Sequence, residues 1–146
     1  MANVHDVAAY ILEYFKNPIT TMKLQKLCYY SQGWSLAWDE EPLFDSKIQA
    51  WANGPVVYDL FDLHRGTYTV SSWTHGDPSA LSSDEVDTID AVLEHYGKLT
   101  GQQLSDLTHS ERPWLEAREG LPVGASSQKE VSTDSMQDFF SALANA

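Results

Sequence analysis

The side chains that could do chemistry form two polar groups in this chain of 146 residues. Lys23, Lys26 and Tyr30 recur at helical spacing, so a helix would align two amines and a phenol in one stripe. In the segment THSERPW, His109 and Glu111 come just before a proline. A histidine near a carboxylate can exchange a proton close to neutral pH. If the fold brought Lys23, His109 and Glu111 into one pocket, these three residues could support a hydrolase or a metal-dependent activity.

Each group also has a structural interpretation. The two lysines of the first group could lie on a helix flank and pair with nearby acids. Glu111 could cap the helix that Pro113 begins, where its charge would favour the helix dipole. His109 could be a buried, hydrogen-bonded histidine. The residues alone leave both interpretations open.

Other motifs of catalysis or metal binding are missing from the sequence. The five histidines show no H-E-x-x-H pattern or similar ligand spacing, and no phosphate-binding glycine motif or G-x-S-x-G elbow occurs. Cys28 is the only cysteine, so no internal disulfide can form; its place on an apolar helix face is typical of an inert core thiol. We therefore predict no catalytic residue, no metal and no cofactor, with an enzyme based on His109 and Glu111 as the alternative.

Composition and charge narrow the class of protein. Hydrophobic residues make up 42% of the chain and aromatic residues 12%, enough for a single domain over residues 1–146 with a substantial core. The formal net charge of −12 argues against a large nucleic-acid interface, because phosphate binding needs clustered Lys and Arg. Neither a signal peptide nor a membrane-spanning run is visible, so we expect a protein of the reducing cytoplasm.

Most of the elements needed to position these residues are predicted to be helices. Asn3 can cap a first helix that runs to about Lys16, and Thr20 or Thr21 opens a second that runs to about Trp38. Capping boxes, cap residues or helix-starting prolines begin four later helices, at Ser82, Thr100, Pro113 and Ser132 or Thr133. The predicted class is mainly α, with six to seven helices and at most a small β-ribbon.

The middle of the chain is harder to assign. Residues 48–51 are predicted to form a short strand, and TYTVSSW (67–73) a second strand that could pair with it. In NGPVVYDLFDLH, Asn53 or Gly54 is the expected cap and Pro55 the first helical residue, so this segment predicts a helix.

A long acidic stretch follows. Residues 66–97 hold six acids and no Lys or Arg. The structural interpretation is a solvated helix face. The functional interpretation is a docking face for a basic protein surface, or a mimic of nucleic-acid charge.

Three segments in combination resemble a known family. They are MKLQKLCYYSQGWSLAW (22–38), PLFDSKIQAWANGPVVYDLF (42–61) and THSERPWLEAREG (108–120). Their shared motifs, K-L-Q-K-L-x-Y-Y, A-W-x-x-G-P-V-V and T-H-x-x-x-P-W in this order, are similar to those of the Panacea domain, or SocA-like antitoxin, family. The positions that carry the pattern are Lys23, Leu24, Lys26, Leu27, Tyr29, Tyr30, Trp34, Trp51, Gly54, Pro55, Val56, His109, Pro113 and Trp114.

The resemblance implies a mostly helical domain that is encoded beside a toxin in bacteria, prophages or phages. Members of this family neutralise a cognate protein toxin by direct contact, and the toxins include small alarmone-synthetase-like enzymes that modify tRNA. One branch is instead an adaptor that delivers its toxin to a protease. The resemblance thus predicts an antitoxin that is not an enzyme, and it assigns mainly architectural roles to the pattern positions.

Candidate residues for toxin binding follow from this expectation and from the charge. Interface energy concentrates in aromatic residues and Arg, and we expect Tyr29, Tyr58 and Trp73 to be exposed anchors. The acids of the predicted helix after Ser82 could cover a basic toxin surface. These acids are Glu85, Asp87, Asp90 and Glu94.

Overall fold

Seven α-helices, one of them central, make up most of the computed structural model, which describes residues 1–146. The helices are α1 (Val4–Tyr14), α2 (Thr21–Trp38), α3 (Tyr58–His64), α4 (Ser83–Tyr96), α5 (Gly101–Thr108), α6 (Arg112–Ala117) and α7 (Thr133–Ala144), with a 3₁₀ turn at Pro78–Ala80. The predicted mainly α class is confirmed. None of the helices combines the length and the apolar content needed to cross a bilayer.

The predicted caps are present at the helix starts. Asn3 accepts a hydrogen bond from His5 N at 2.8 Å, and Thr20 Oγ1 accepts one from Lys23 N at 3.0 Å. Both predicted capping boxes, Ser82 with Glu85 and Thr100 with Gln103, are formed in both directions, and Ser132 caps α7. Each cap satisfies amide groups that the helix itself leaves unpaired, which fixes where the helix begins.

The central helix α2 is covered on all sides. Helices α1, α4, α5 and α7 pack against it, and every residue of 24–36 is buried. An aromatic layer fills the space towards α4 and α7, with Tyr30 stacked on Tyr96 at a centroid distance of 4.2 Å. Since α2 has no solvent-facing side over these residues, its polar side chains must also find places inside the protein.

Helices α2 and α7 approach closely at Gly33. A Cβ atom at Gly33 would overlap the ring of Phe140, which is fully buried. The ring of Phe140 also lies 5.4 Å from that of Trp34 and 5.9 Å from that of Tyr30. Because Gly33 has no side chain, there is room for Phe140 of α7 to cover the aromatic layer.

Two small antiparallel ribbons complete the fold. Strands β2 (Ile48–Trp51) and β3 (Gly54–Val57) form a hairpin in which Ile48 faces Val57 and Trp51 faces Gly54. Strands β1 (Ile19–Thr20) and β4 (Thr69–Val70) form the second ribbon. The predicted strand at 48–51 is confirmed, but its predicted pairing with the 67–73 segment is wrong, because β4 pairs with β1.

The predicted helix start at Asn53 to Pro55 is also wrong. These residues turn the hairpin and enter β3, and α3 begins only at Tyr58. Two features favour the strand. Gly54 has a φ of +121°, which a helix does not allow, and the Gln25 side chain binds both backbone groups of Val57. The amide of Gln25 thus holds the hairpin against α2.

Candidate functional site

The three motif segments meet where α2, the β2–β3 hairpin and the α5–α6 junction come together. Trp114 Nε1 donates a hydrogen bond to Trp51 O at 2.8 Å, and Ser105 Oγ donates one to Asn53 O at 2.5 Å. A Cβ atom at Gly54 would lie 2.6 Å from Lys26 Cε, so a side chain at this position would displace the end of the lysine chain. Pattern residues from all three segments thus contact one another in one region, which is mostly interior.

Lys26 is the least expected member of this region. Lys26 is 2% exposed, and no salt bridge of the protein includes it. Burial lowers its pKa to about 8, because the charged form is poorly solvated inside the protein. The interpretation that both lysines pair with local acids on a helix flank is wrong: Lys23 Nζ donates to Gly97 O at 2.6 Å and lies 4.6 Å from the Phe15 ring centroid.

Tyr30 and Glu111 form a hydrogen-bonded pair in the core. Tyr30 Oη donates to Glu111 Oε1 at 2.8 Å, and Glu111 is 6% exposed. Burial raises the pKa of Glu111 to about 7, and the hydrogen bond from Tyr30 opposes that rise. The expected capping role of Glu111 is wrong: it precedes α6, but its side chain binds no amide of that helix and turns inward.

His109 and Lys23 do not join Glu111 in a common site. The His109 ring packs on Trp114 with a centroid distance of 4.3 Å, and its buried Nε2 has no hydrogen-bond partner. The expectation of a hydrogen-bonded histidine is therefore wrong for this atom. No hydrogen bond links any two of the three residues that an enzyme based on this motif would use.

Two of the three expected surface aromatics are buried. Tyr29 is fully buried because α2 is enclosed, and its hydroxyl has no hydrogen-bond partner. Trp73 is 7% exposed, and its Nε1 donates to His5 Nδ1 of α1 at 3.2 Å. The prediction that Tyr29 and Trp73 are exposed anchors is wrong. Tyr58 remains at the surface, with 37% of its area exposed.

The acidic surface predicted after Ser82 lies along α4. Asp87 and Glu94 are exposed and have no hydrogen-bond or ion-pair partner. Glu85 is engaged in the capping box, and Asp90 accepts a hydrogen bond from Tyr10 Oη at 2.5 Å, which raises the pKa of Tyr10 to about 12. Two of the four predicted acids are thus free to meet a partner.

A surface groove that the sequence analysis missed lies beside these acids. We call it the Trp38 groove; its volume is about 450 Å³. It is lined by Trp34 and Trp38 of α2, Ala91, His95 and Tyr96 of α4, and Leu143 of α7. Two large apolar residues of the groove, Trp38 and Leu143, are visible in the sequence, but helical periodicity assigns both to buried faces. In the structure they are 48% and 44% exposed.

Acids surround one end of this groove. A neighbouring hollow of about 370 Å³ shares Trp38 and Ala91 with the groove. Three aspartates also line this hollow, and we call them the acidic rim: Asp39, Asp84 and Asp87. Thr88 Oγ1 donates a hydrogen bond to Asp39 Oδ2 at 3.1 Å, which holds that part of the rim against α4. An apolar surface and a set of carboxylates are therefore continuous on this side of the protein.

Comparison with known proteins agrees with the motif pattern. The family model described as "Antitoxin SocA-like, Panacea domain" matches residues 24–115, from α2 into α6. Antitoxin SocA of Caulobacter vibrioides (strain NA1000 / CB15N) is 30% identical over 110 residues, an alignment that covers 66% of this chain and 58% of that protein. The chain thus spans less than two thirds of the length of this relative. No solved structure matches the chain significantly.

The family match begins one residue after Lys23 and includes every other pattern position, from Leu24 to Trp114. It leaves out α1 and α7, although both helices pack on α2. The matched segment covers more than half of the chain and contains the whole interior motif region described above. The chain therefore belongs to the SocA-like antitoxin family and carries its Panacea domain.

Proposed function

We propose that this protein is an antitoxin that acts in the cytoplasm and neutralises a cognate protein toxin by binding it directly. Its family membership is the observation that carries the proposal, and the relative named Antitoxin SocA agrees with it. The toxin is proposed to be the product of a neighbouring gene. In this role the protein needs no catalytic residue, since steric blockage of the toxin is sufficient.

The positions of the motif residues support a binding role. Lys26, Tyr29, Tyr30 and Glu111 are buried in the helix packing, where they shape the scaffold and do not reach a ligand at the surface. These four residues therefore do not contact a partner directly, and most of the contact must come from other side chains. A scaffold of this kind can present different surfaces to different toxins.

Charge supports the same role. A toxin that modifies tRNA, such as a small alarmone-synthetase-like enzyme, needs basic surface to bind phosphates. The free carboxylates of Asp87 and Glu94 on α4, in a chain with a net charge of −12, would attract such a surface and speed the encounter. Tyr58, the exposed member of the predicted aromatic anchors, is a second candidate contact.

The test is co-expression of the protein with the product of the neighbouring reading frame. Growth rescue together with a stable stoichiometric complex on purification would support direct neutralisation. Rescue without a complex would favour the alternative, an adaptor that delivers the toxin to a protease. If the neighbouring product is toxic and co-expression gives no rescue, the antitoxin proposal fails.

A charge reversal tests the electrostatic part separately. We expect Asp87→Lys/Glu94→Lys to slow association with the toxin and to weaken its dependence on salt. The matched control, Asp106→Lys/Glu119→Lys, reverses two exposed acids, one on α5 and one just after α6, and changes the net charge equally. Equal association rates for the two double variants would exclude a specific role for the α4 acids.

A further inference from the structure

We propose that the Trp38 groove binds a basic amphipathic helix of the partner protein, with apolar side chains in the groove and Lys or Arg on the acidic rim. The proposal rests on the proposed function, because we take the partner to be the toxin. It assigns an anchoring site to a surface that lies mostly outside the motif residues.

The groove presents apolar area that the fold leaves uncovered. Trp38 is 48% exposed, although its ring stacks on Trp34 at a centroid distance of 4.7 Å. Trp34 in turn donates through Nε1 to Tyr96 Oη at 2.9 Å, so the floor of the groove is held in place before any partner arrives. A rigid aromatic floor of this kind limits the entropy lost on binding, which favours an anchor site.

The lining favours a helix over an extended strand. Among the side chains that line the groove, His95 is the most polar, so the lining offers few hydrogen-bond partners to a bound backbone. A strand would bring unpaired amide and carbonyl groups into this surface, whereas a helix satisfies its own backbone hydrogen bonds. Docking of an apolar helix face into a groove between helices is an established mode of recognition.

The charges around the groove select a basic helix. Neither α4, nor α7, nor the part of α2 that follows Lys26 contains a Lys or Arg. The acidic rim, with Asp39, Asp84 and Asp87, lies at one end of the groove. Lys or Arg on the polar face of the bound helix would complement these carboxylates.

The same charges argue against a second copy of this chain as the occupant. Each copy would bring its own acidic surface and a net charge of −12 to the contact. Like charges placed opposite each other across an interface are destabilising. A partner with basic side chains meets no such penalty.

A labelled peptide tests the groove in the absence of the toxin. The probe is a helix-forming peptide of about 18 residues, roughly five turns, with Leu on one face and Lys on the other. A second peptide has Glu in place of each Lys. We expect fluorescence polarisation to show affinity at least about tenfold higher for the Lys peptide, a difference of about 1.4 kcal/mol. Equal affinity for the two peptides, or no binding of the Lys peptide, would overturn the proposal.

A matched pair of variants locates the site. Leu143 in the groove and Leu115 on α6 are 44% and 45% exposed, so Leu143→Lys and Leu115→Lys make the same change at equal exposure. We expect Leu143→Lys to weaken Lys-peptide binding at least about tenfold and Leu115→Lys to change it less than about twofold. Trp38→Ala is a second groove variant and should also weaken binding. Circular dichroism melting checks that each variant is folded; folded groove variants that bind like the wild type would overturn the proposal.

The toxin assay separates this inference from the proposed function. If wild type and Leu115→Lys neutralise the toxin but Leu143→Lys does not, both proposals are supported. If all three neutralise it equally, the groove assignment is wrong and the antitoxin function stands. If the wild type gives no rescue but still binds the Lys peptide in the groove, the assignment of the groove to a toxin is wrong together with the function.

Discussion

Tyr30 Oη donates a 2.8 Å hydrogen bond to Glu111 Oε1, and this bond ties the middle of α2 to the start of α6 across 81 residues of sequence. Both side chains are buried. Tyr29, the preceding residue on α2, is equally buried, but its hydroxyl has no partner. Two adjacent buried tyrosines thus differ in whether the hydroxyl is hydrogen-bonded.

We expect removal of these two hydroxyls to have opposite consequences. Tyr30→Phe leaves the Glu111 carboxyl buried without its donor, which should lower the free energy of unfolding by about 1–3 kcal/mol. Tyr29→Phe removes an unpaired polar group and should be neutral or stabilising by up to about 1 kcal/mol. Urea denaturation of the two variants measures both effects. Equal destabilisation by both changes would contradict this assignment of partners.

The raised pKa of Glu111 predicts a pH dependence of stability. The folded-state pKa of about 7 exceeds the ordinary value of 4.5, so the folded protein binds this proton more tightly than the unfolded chain. The resulting stabilisation is complete below pH 4.5 and is lost as the pH rises through 7, a change of about 3 kcal/mol. In the Glu111→Gln variant residue 111 cannot titrate, so the free energy of unfolding should no longer show this slope with pH. Urea denaturation at several pH values measures the slope. The exposed control Glu119→Gln should keep the slope; a slope that survives in Glu111→Gln would exclude Glu111 as its source.

Lys26 predicts the opposite dependence at higher pH. Its folded-state pKa of about 8 is below the ordinary 10.5, so the unfolded chain binds this proton more tightly. The penalty on stability is complete below pH 8 and disappears as the pH rises through 10.5. Lys26→Met removes the charge and keeps an unbranched apolar chain, and it should raise the free energy of unfolding at pH 7 by about 1–3 kcal/mol.

The control for this change is Lys98→Met, which removes an exposed lysine. We expect it to leave the free energy of unfolding within about 0.5 kcal/mol of the wild type. The advantage of Lys26→Met over the wild type should shrink between pH 8 and pH 10.5. An advantage that is constant with pH would show that packing, not charge, is responsible.

The approach of α7 to Gly33 predicts a strong response to a single methyl group. Gly33→Ala gains up to about 1 kcal/mol in helix propensity, but its Cβ atom would overlap the Phe140 ring. We expect a net loss of about 1–3 kcal/mol in the free energy of unfolding, measured by urea denaturation. The double variant Gly33→Ala/Phe140→Leu should be less destabilised than the sum of the two single changes, because the smaller side chain leaves room. Additive losses would show that the two residues do not interact.

Helix starts were predictable from the sequence because they depend on neighbouring residues. The caps at Asn3, Thr20, Ser82 and Ser132 are side chains that bind amides two or three residues later. Such contacts are visible in a short stretch of sequence. The predicted family was confirmed for the same kind of reason, since its motifs are local patterns in a fixed order.

The hairpin was not predictable from its own residues. A short apolar run such as GPVV has the same pattern in a helix and in a buried strand. The choice is made by Gln25, which lies 32 residues earlier and binds both backbone groups of Val57. An interaction between residues so far apart in the sequence does not affect the local hydrophobic pattern.

The sequence also did not predict which residues of the candidate site are buried. Periodicity separates one covered face of a helix from one exposed face, but α2 is covered all round, so Lys26 and Tyr29 are inside on faces that would otherwise meet solvent. For the same reason, helical periodicity could not predict the Trp38 groove. Whether Trp38 is covered depends on how α4 and α7 pack around the end of α2, which no single helix determines.

The way α7 seals the core also affects how the chain folds. Gln137 of α7 donates a hydrogen bond to Leu36 O across 101 residues, so part of the cover of the central helix comes from a distant part of the chain. Closing so long a loop is slow compared with the docking of successive helices, and we expect this protein to fold more slowly than small helical bundles with local contacts. Before α7 docks, the side of the aromatic layer that packs against Phe140 is open to water. During this interval a newly made chain is exposed to proteases and to aggregation, so the rate of refolding in stopped-flow fluorescence would measure how long it stays vulnerable.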